Sequence, residues 1–187
     1  AAHITRQLLD FSRRSILQRY PINFAVFVNN IVSDIFESMG VSHIEIKTSI
    51  APNTNYTVQL DAAQMQATLL NLISNSLDAM PLGGQLSLHL SRLCTVDEPL
   101  TAVSLTHHKH WIVLTISDTG IGIHPEHLAH VFEPFFTTKE IGLGTGLGLA
   151  QAYGIIKQHG GEIIVNSELG HGTTFTIYLP TVTSSHV

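Results

Sequence analysis

Between Gly142 and Ala150 the chain reads G-L-G-T-G-L-G-L-A, four glycines alternating with small or aliphatic residues before the pattern turns apolar through Ala152, Ile155 and Ile156. Each glycine forfeits backbone entropy on folding, so the stretch is poor helix and poor strand. With no side chains in the way, its main-chain N–H groups can close around a polyanion. A helix beginning near Thr145 adds its own unpaired first N–H groups and the positive end of its dipole. An isolated G-x-G is more often a flexible turn before a helix. Here other motifs of the same site stand upstream in order, and the stretch reads as a phosphate-gripping lid.

The second anchor is a long helix expected from Asp61 to Met80. Asp61 is a good N-cap, with Gln64 three residues on as in a capping box. Met65, Leu69, Leu72, Ile73 and Leu77 make an apolar face, while Gln64, Thr68, Asn71, Asn75 and Asp78 make a polar stripe. A polar stripe is normally a solvated face, rich in Lys and Glu. This one holds short amides and one acid, side chains suited to fixed ligand contacts.

Around these anchors the pattern predicts a helix over 2–19, broken at Tyr20-Pro21, and another over 24–39 carrying Phe27, Ile31 and Ile35, with Gly40 as its C-cap. Strands are expected at Ile44–Lys47, Tyr56–Leu60, Gln85–Leu93 and Trp111–Ser117, then at Glu162–Ser167 and Thr174–Leu179. The strand ending at Ser117 runs into Asp118-Thr119-Gly120-Ile121-Gly122. A short helical piece starts at Pro125, and Phe132-Glu133-Pro134-Phe135-Phe136-Thr137-Thr138-Lys139 precedes the glycines. The helix beyond the lid is expected to reach His159. Residues 94–110 read as irregular; the His107, His108, His110 group there is a solvated tip sooner than a metal site, since no Cys, Asp or Glu accompanies it at ligand spacing.

With 187 residues, 44% of them hydrophobic and 12% charged, the chain can bury the core of one ordinary α/β domain. A net charge of −5 argues against a nucleic-acid partner. The lone Cys94 suits a reducing compartment, and no apolar stretch is long enough for a membrane span. No signal peptide is visible, and a chain opening on Ala1 in mid-pattern reads as a piece of something larger.

Asn71-x3-Asn75 on a helix, D-T-G-I-G, F-E-P-F-F-T-T-K and G-L-G-T-G-L-G-L together resemble the N, G1, F and G2 boxes of the catalytic ATP-binding domain of bacterial sensor histidine kinases. The resemblance covers about residues 24–180. The preceding I-T-R-Q-L-L-D-F-S-R-R is similar to the end of that family's dimerisation and phosphotransfer hairpin, which divides the chain into a remnant at 1–19, the ATP-binding domain at 24–180 and a tail at 181–187. The implied fold is an α/β two-layer sandwich (Bergerat fold): a mixed, mostly antiparallel sheet covered on one face by about three helices, with an N-terminal helical stub. The nucleotide would lie between the helices and a mobile lid from about 124 to 146, anchored at its base by Phe132, Phe135 and Phe136.

The resemblance also implies roles. Asn75 would offer Mg²⁺ a neutral hard oxygen beside ATP's own phosphates. Asp118 would accept a hydrogen bond from the adenine amino group and reject guanine, while Gly120 and Gly122 let the backbone pass close to the base. Lys139 would reach a phosphate as a mobile point charge. Gly144, Gly146 and Gly148 would supply lid amides, with Thr138, Thr145, Leu147 and Thr173 also bound to nucleotide and Asp78 shaping the pocket floor or capping its helix. Asn71 separates this chain from gyrase, mismatch-repair and heat-shock ATPases of the same fold, whose glutamate at that position activates water. An asparagine takes no proton at neutral pH, so transfer to a protein acceptor is expected over hydrolysis.

One departure stands out. None of the twelve histidines has the family's acceptor context; His3 lies downstream of the acceptor's place, and His124 precedes Pro125 and Glu126 in the lid region. The chain therefore resembles the catalytic half of a kinase whose acceptor helix is cut away or supplied by another protein. Its implied partners are a histidine-bearing dimerisation hairpin, in a homodimeric parent, and a response regulator receiver domain. The implied location is cytoplasmic, without membrane contact by this fragment, the parent being anchored or not. Two alternatives share the fold: an anti-sigma-factor-like serine kinase or hydrolytic ATPase, against which the N-terminal helix and Asn71 argue, and a degenerate docking module, against which the intact boxes argue.

Overall fold

The computed structural model describes residues 17–39, 43–52, 54–94, 110–139 and 144–181. Its elements run β1 (Tyr20–Asn23), α1 (Phe24–Met39), β2 (Ile44–Ile50), β3 (Thr57–Leu60), α2 (Ala62–Asp78), β4 (Gly84–Cys94), β5 (His110–Asp118), α3 (Pro125–Leu128), α4 (Gly148–Gln158), β6 (Glu162–Glu168) and β7 (Gly172–Pro180).

Alternation along β5 sets the layers. Ile112, Leu114 and Ile116 are fully buried on one face, as side chains of period two must be when that face meets the core. Leu86, Leu88 and Leu90 of β4 and Phe175, Ile177 and Leu179 of β7 join them. Against this face lie Phe24, Val28, Ile31 and Ile35 of α1, Met65, Leu69, Leu72 and Ile73 of α2, and Ala152 and Ile156 of α4. Trp111, Val113 and Tyr178 form a separate small cluster on the opposite face. The five strands run in the order β2-β4-β5-β7-β6, with β2 parallel to β4 and every other pair antiparallel. This is the expected mixed, mostly antiparallel sheet with helices on one face.

The boundaries differ from expectation in instructive places. Residues 17–19 are not helical, and the rest of the expected 2–19 helix lies outside the described residues. Tyr20–Asn23 does not merely break a helix. It pairs antiparallel with β3, Tyr20 opposite Leu60 and Asn23 opposite Thr57, in a two-stranded ribbon where Pro21 is tolerated because, among the described residues, one side of the strand has no partner. The helix after the lid starts at Gly148, not near Thr145. Gly40, His107 and His108 lie outside the described residues, and His110 opens β5.

Asp61 is the N-cap of α2, its Oδ1 accepting from the Gln64 N–H at 3.2 Å. Gln64 Nε2 reaches Asp61 Oδ2 at 3.5 Å, and the Asp61 N–H donates to His159 Nε2 at the end of α4. A distant imidazole thus serves the N–H that a capping box would serve locally. Among the described residues no helix is long and apolar enough to cross a membrane.

Candidate nucleotide site

The carboxyl-terminal half of α2, the ends of β5 and β7, and the segments 121–139 and 144–149 enclose a cavity of about 570 Å³. Helical spacing brings Asn71, Asn75, Asp78 and Ala79 to its wall, because residues three and four apart share a helix face. The turn after β5 is bound to that helix end, where the Ile121 N–H donates to the Ala79 carbonyl at 3.0 Å, and to the start of β4, where the Thr119 hydroxyl accepts from the Gln85 N–H at 3.0 Å. Sequence segments from four parts of the chain therefore meet at one place.

Asp118 is 6% exposed, and its Oδ1 accepts from the N–H groups of Gly120 at 2.9 Å and Thr173 at 3.1 Å. Two backbone donors fix the carboxylate without neutralising it and leave Oδ2 as the oxygen available to a ligand. Lys139 Nζ lies 2.6 Å from Asp78 Oδ2. The side chains of this pair are 39% and 53% exposed, so water screens it and it is held loosely.

Of the residues singled out from sequence, the cavity wall includes Asn71, Asn75, Asp78, Asp118, Gly122, Thr138, Lys139, Gly144, Thr145, Gly146, Gly148 and Thr173. Gly120 and Leu147 stand behind the wall. A Cβ at 120 would lie 2.6 Å from the Ala79 carbonyl oxygen, so Gly120 is required where the turn presses on α2. Leu147 is 3% exposed and occupies the N-cap position of α4, its N–H donating to Thr145 Oγ1 at 3.4 Å. Gly142 lies outside the described residues. At the lid's base Phe132 meets Tyr153 with ring centroids 5.3 Å apart, and Phe136 meets His127 at 5.5 Å. Phe135 is 59% exposed, so it does not share the anchoring expected of all three.

Sequence reading missed Ser76, Ile121, Ile123, Val131, Leu149 and Phe175, which also line the cavity. The five apolar residues give it the greasy walls that suit a flat aromatic base. Val131, Leu149 and Phe175 were missed because each also satisfies the pattern of an ordinary core residue, and Ile121 and Ile123 because they stand in a loop outside any apolar period. Gly148 abuts the amide of Asn71, a Cβ there lying 3.5 Å from Asn71 Oδ1. That contact brings the N-box helix against the first turn of α4, where unpaired N–H groups favour an anion.

Comparison with known proteins agrees with this geometry. The family described as histidine kinase-, DNA gyrase B-, and HSP90-like ATPase matches residues 60–183. The sensor kinase CckA of Brucella abortus is 40% identical over 180 residues, which cover 96% of this chain and 19% of that protein. The chain thus spans a minor part of the length of such relatives. Among solved structures, a mycobacterial sensor histidine kinase, MprB, superposes with a TM-score of 0.67 at 25% identity, covering 87% of this chain and 97% of that one. The histidine kinase ThkA, in a complex with the response regulator TrrA, shares the fold with a TM-score of 0.72 at 20% identity, covering 99% of this chain and 48% of that one. With the family matched across most of the domain and its boxes gathered around one cavity, the chain belongs to the histidine kinase-, gyrase B- and HSP90-like ATPases, as an ATP-binding domain of the histidine kinase type.

Proposed function

We propose that this domain holds Mg·ATP and presents its γ-phosphoryl group to a histidine on a dimerisation hairpin, for onward relay to a response regulator aspartate. One observation carries the choice of transfer over hydrolysis. Among the described residues, the acids lining the cavity are Asp78 and Asp118, and no histidine lines it. Asp78 is paired with Lys139, and Asp118 is fixed by two N–H groups beside the turn after β5. Asn71, against the first turn of α4, is an amide and takes no proton from water. A cavity whose described residues offer no free general base beside Asn71 suits a nucleophile that brings its own reactivity.

In this reading Asp118 Oδ2 accepts from the adenine amino group. The glycine backbone at 144–148 and the start of α4 hold the phosphates, and Lys139, kept beside Asp78, reaches a phosphate oxygen. Magnesium fits the donor set: Asn71 and Asn75 bring neutral oxygens to the wall, and the Asp78 carboxylate is paired with Lys139. Asn75 would hold the ion, which supplies charge neutralisation at the phosphates. The chain's own contribution is orientation and electrostatic stabilisation of the transferring group. A response regulator partner is supported by the ThkA–TrrA complex, whose kinase shares this fold.

The test is incubation with γ-labelled ATP and Mg²⁺, alone and with a separate hairpin bearing the family's acceptor histidine. Acid-labile, base-stable label should reach the added hairpin only, and Asn75→Ala should abolish it. Stoichiometric label on this chain alone would overturn the reading.

A further inference from the structure

The residues that lead from the Asp118 turn toward α3 run alongside the end of β6. The Gly170 N–H donates to the Ile121 carbonyl at 2.8 Å, and a Cβ at Gly122 would collide with the Glu168 carbonyl oxygen. Those two contacts are made by backbone. The third is made by a side chain: the Ile123 N–H donates to Ser167 Oγ at 2.8 Å. Ser167 Oγ in turn donates to the Gly172 carbonyl at 2.8 Å. Thr173, directly opposite Ser167 on β7, brings its Oγ1 within 2.9 Å of the same atom. A hydroxyl has one proton and two lone pairs. With the proton given to Gly172, the Ile123 N–H and the Thr173 hydroxyl fill both lone pairs, and Ser167 is saturated.

Ser167 is half-buried and stands behind the cavity wall, while its partners Ile123 and Thr173 are in that wall. Thr173 also holds Asp118 through its own N–H, a bond that does not need Ser167. Ile123 depends on Ser167 more directly, and it is the root of everything that follows it. His124 caps α3, α3 lies against β6, and His127 of α3 meets the Phe136 ring. Phe136 opens the run Phe136-Thr137-Thr138-Lys139, all four of which line the cavity. Without the hydroxyl, the part-buried Ile123 N–H can regain a partner only from water, which it reaches by parting from β6. Such a shift is handed on to Phe136 and Lys139.

We propose that Ser167 is a positioning residue for the triphosphate: its hydroxyl pins the root of the 123–139 segment to the β6–β7 turn, which places Lys139 and its neighbours within reach of the phosphates. Ser167 touches no nucleotide atom itself. It acts through Ile123, and it lies outside the N, G1, F and G2 boxes. The proposal rests on the nucleotide reading of the cavity and adds to it a residue that governs how the phosphate-binding segment is held.

The test titrates the whole 187-residue chain and its Ser167→Ala, Ser167→Val and Ser167→Thr variants with adenosine and, with Mg²⁺, a non-hydrolysable ATP analogue. Adenosine has no phosphates, so it reports the base contacts alone. Ser167→Ala and Ser167→Val should weaken the ATP analogue by about three- to tenfold, the worth of one hydrogen bond, and adenosine by less than about twofold. Ser167→Thr keeps the hydroxyl in the outline of valine and should bind both ligands like the parent. Hydrogen exchange should quicken at Ile123 and across 124–139 in Ser167→Ala, with the amides of β4 and β5 unchanged. Equal losses for adenosine and the ATP analogue would place the effect on the base contacts or on the fold, and overturn the proposal. Unchanged affinity in Ser167→Ala, or Ser167→Val and Ser167→Thr behaving alike, overturns it too. If the parent chain binds neither ligand, the nucleotide reading itself fails, and the exchange rate at Ile123 still decides whether Ser167 holds that root.

Discussion

The backbone N–H of Asp61 donates to Nε2 of His159 across 3.0 Å, tying the first residue of the α2 cap to the last turn of α4. Because an amide N–H can only donate, Nε2 must be bare, and Nδ1 carries the proton it gives to the Ile155 carbonyl at 2.7 Å. The imidazole is 3% exposed, and burial lowers its pKa from the usual 6.5, with the nearby Arg19 charge adding to the effect against opposing contributions from the Ile155 carbonyl and Asp61. Arg19 itself donates to the Gln158 carbonyl, and the Gln18 N–H to Asp61 Oδ2 at 3.2 Å.

The sign of the pH dependence follows. The unfolded imidazole binds a proton below about pH 6.5, while the folded one resists it to lower pH. Stability from His159 is complete above that value and is lost as pH falls through the window beneath it. The melting temperature should therefore drop between pH 7 and pH 5, and His159→Gln, whose amide keeps an acceptor but does not titrate there, should flatten the drop while lowering stability at pH 7. Parallel pH profiles for the two proteins would exclude His159 as the cause.

For Asp118 the structure separates folding from binding. Asparagine keeps an oxygen for the Gly120 and Thr173 donors, so Asp118→Asn should fold with a melting temperature close to the parent's. It places an NH₂ where the adenine amino group would donate, and ADP affinity should fall by about 1.5–3 kcal/mol. Discrimination between ATP and GTP should fall with it, measured by titration of both. Retained discrimination would remove Asp118 from base recognition.

The Lys139–Asp78 pair is half exposed, and pairs of that kind contribute roughly 0–1 kcal/mol. Lys139→Ala should leave stability almost unchanged and weaken ATP by roughly tenfold, about 1.4 kcal/mol, with adenosine unaffected. The ATP penalty should shrink at high salt, as screening of an exposed charge requires. An equal loss for adenosine would mean that Lys139 shapes the cavity without touching phosphate.

Most of the fold was legible because its elements carry strong local periods. β5 alternates through Ile112, Leu114 and Ile116, and α2 repeats at three and four through Met65, Leu69 and Leu72. The boxes were legible for the same reason: Asn71 and Asn75 share one turn of helix. What was not legible is non-local or disguised. β1 is four residues containing a proline, and only its partner β3 makes it a strand. The His159 contact spans 98 residues of chain. Ser76 sits on the apolar stripe, where a serine looks like a tolerated small residue until its unmet hydrogen bond is seen. The start of α4 was misplaced by three residues because glycine gives no propensity edge at which a helix visibly begins.

Gly172 and Gly170 make a controlled pair at the turn that supports Asp118. Both have positive φ, 100° at Gly172 and 80° at Gly170, so an alanine at either is strained by about 1–2 kcal/mol. They differ in space. A Cβ at 170 meets nothing within 4 Å, whereas a Cβ at 172 would collide with the Asp118 carbonyl. Gly172 also precedes Thr173, whose N–H holds the Asp118 carboxylate, and its own carbonyl accepts from the Ser167 hydroxyl at 2.8 Å. Relieving the collision means parting β7 from the end of β5, at a further cost of about 1–3 kcal/mol. Gly170→Ala should thus melt slightly early and bind ADP like the parent. Gly172→Ala should be the less stable of the two and bind ADP more weakly at temperatures where both are fully folded. Equal ADP affinity in the two variants would show that the carboxylate of Asp118 keeps its place without the close approach of Gly172.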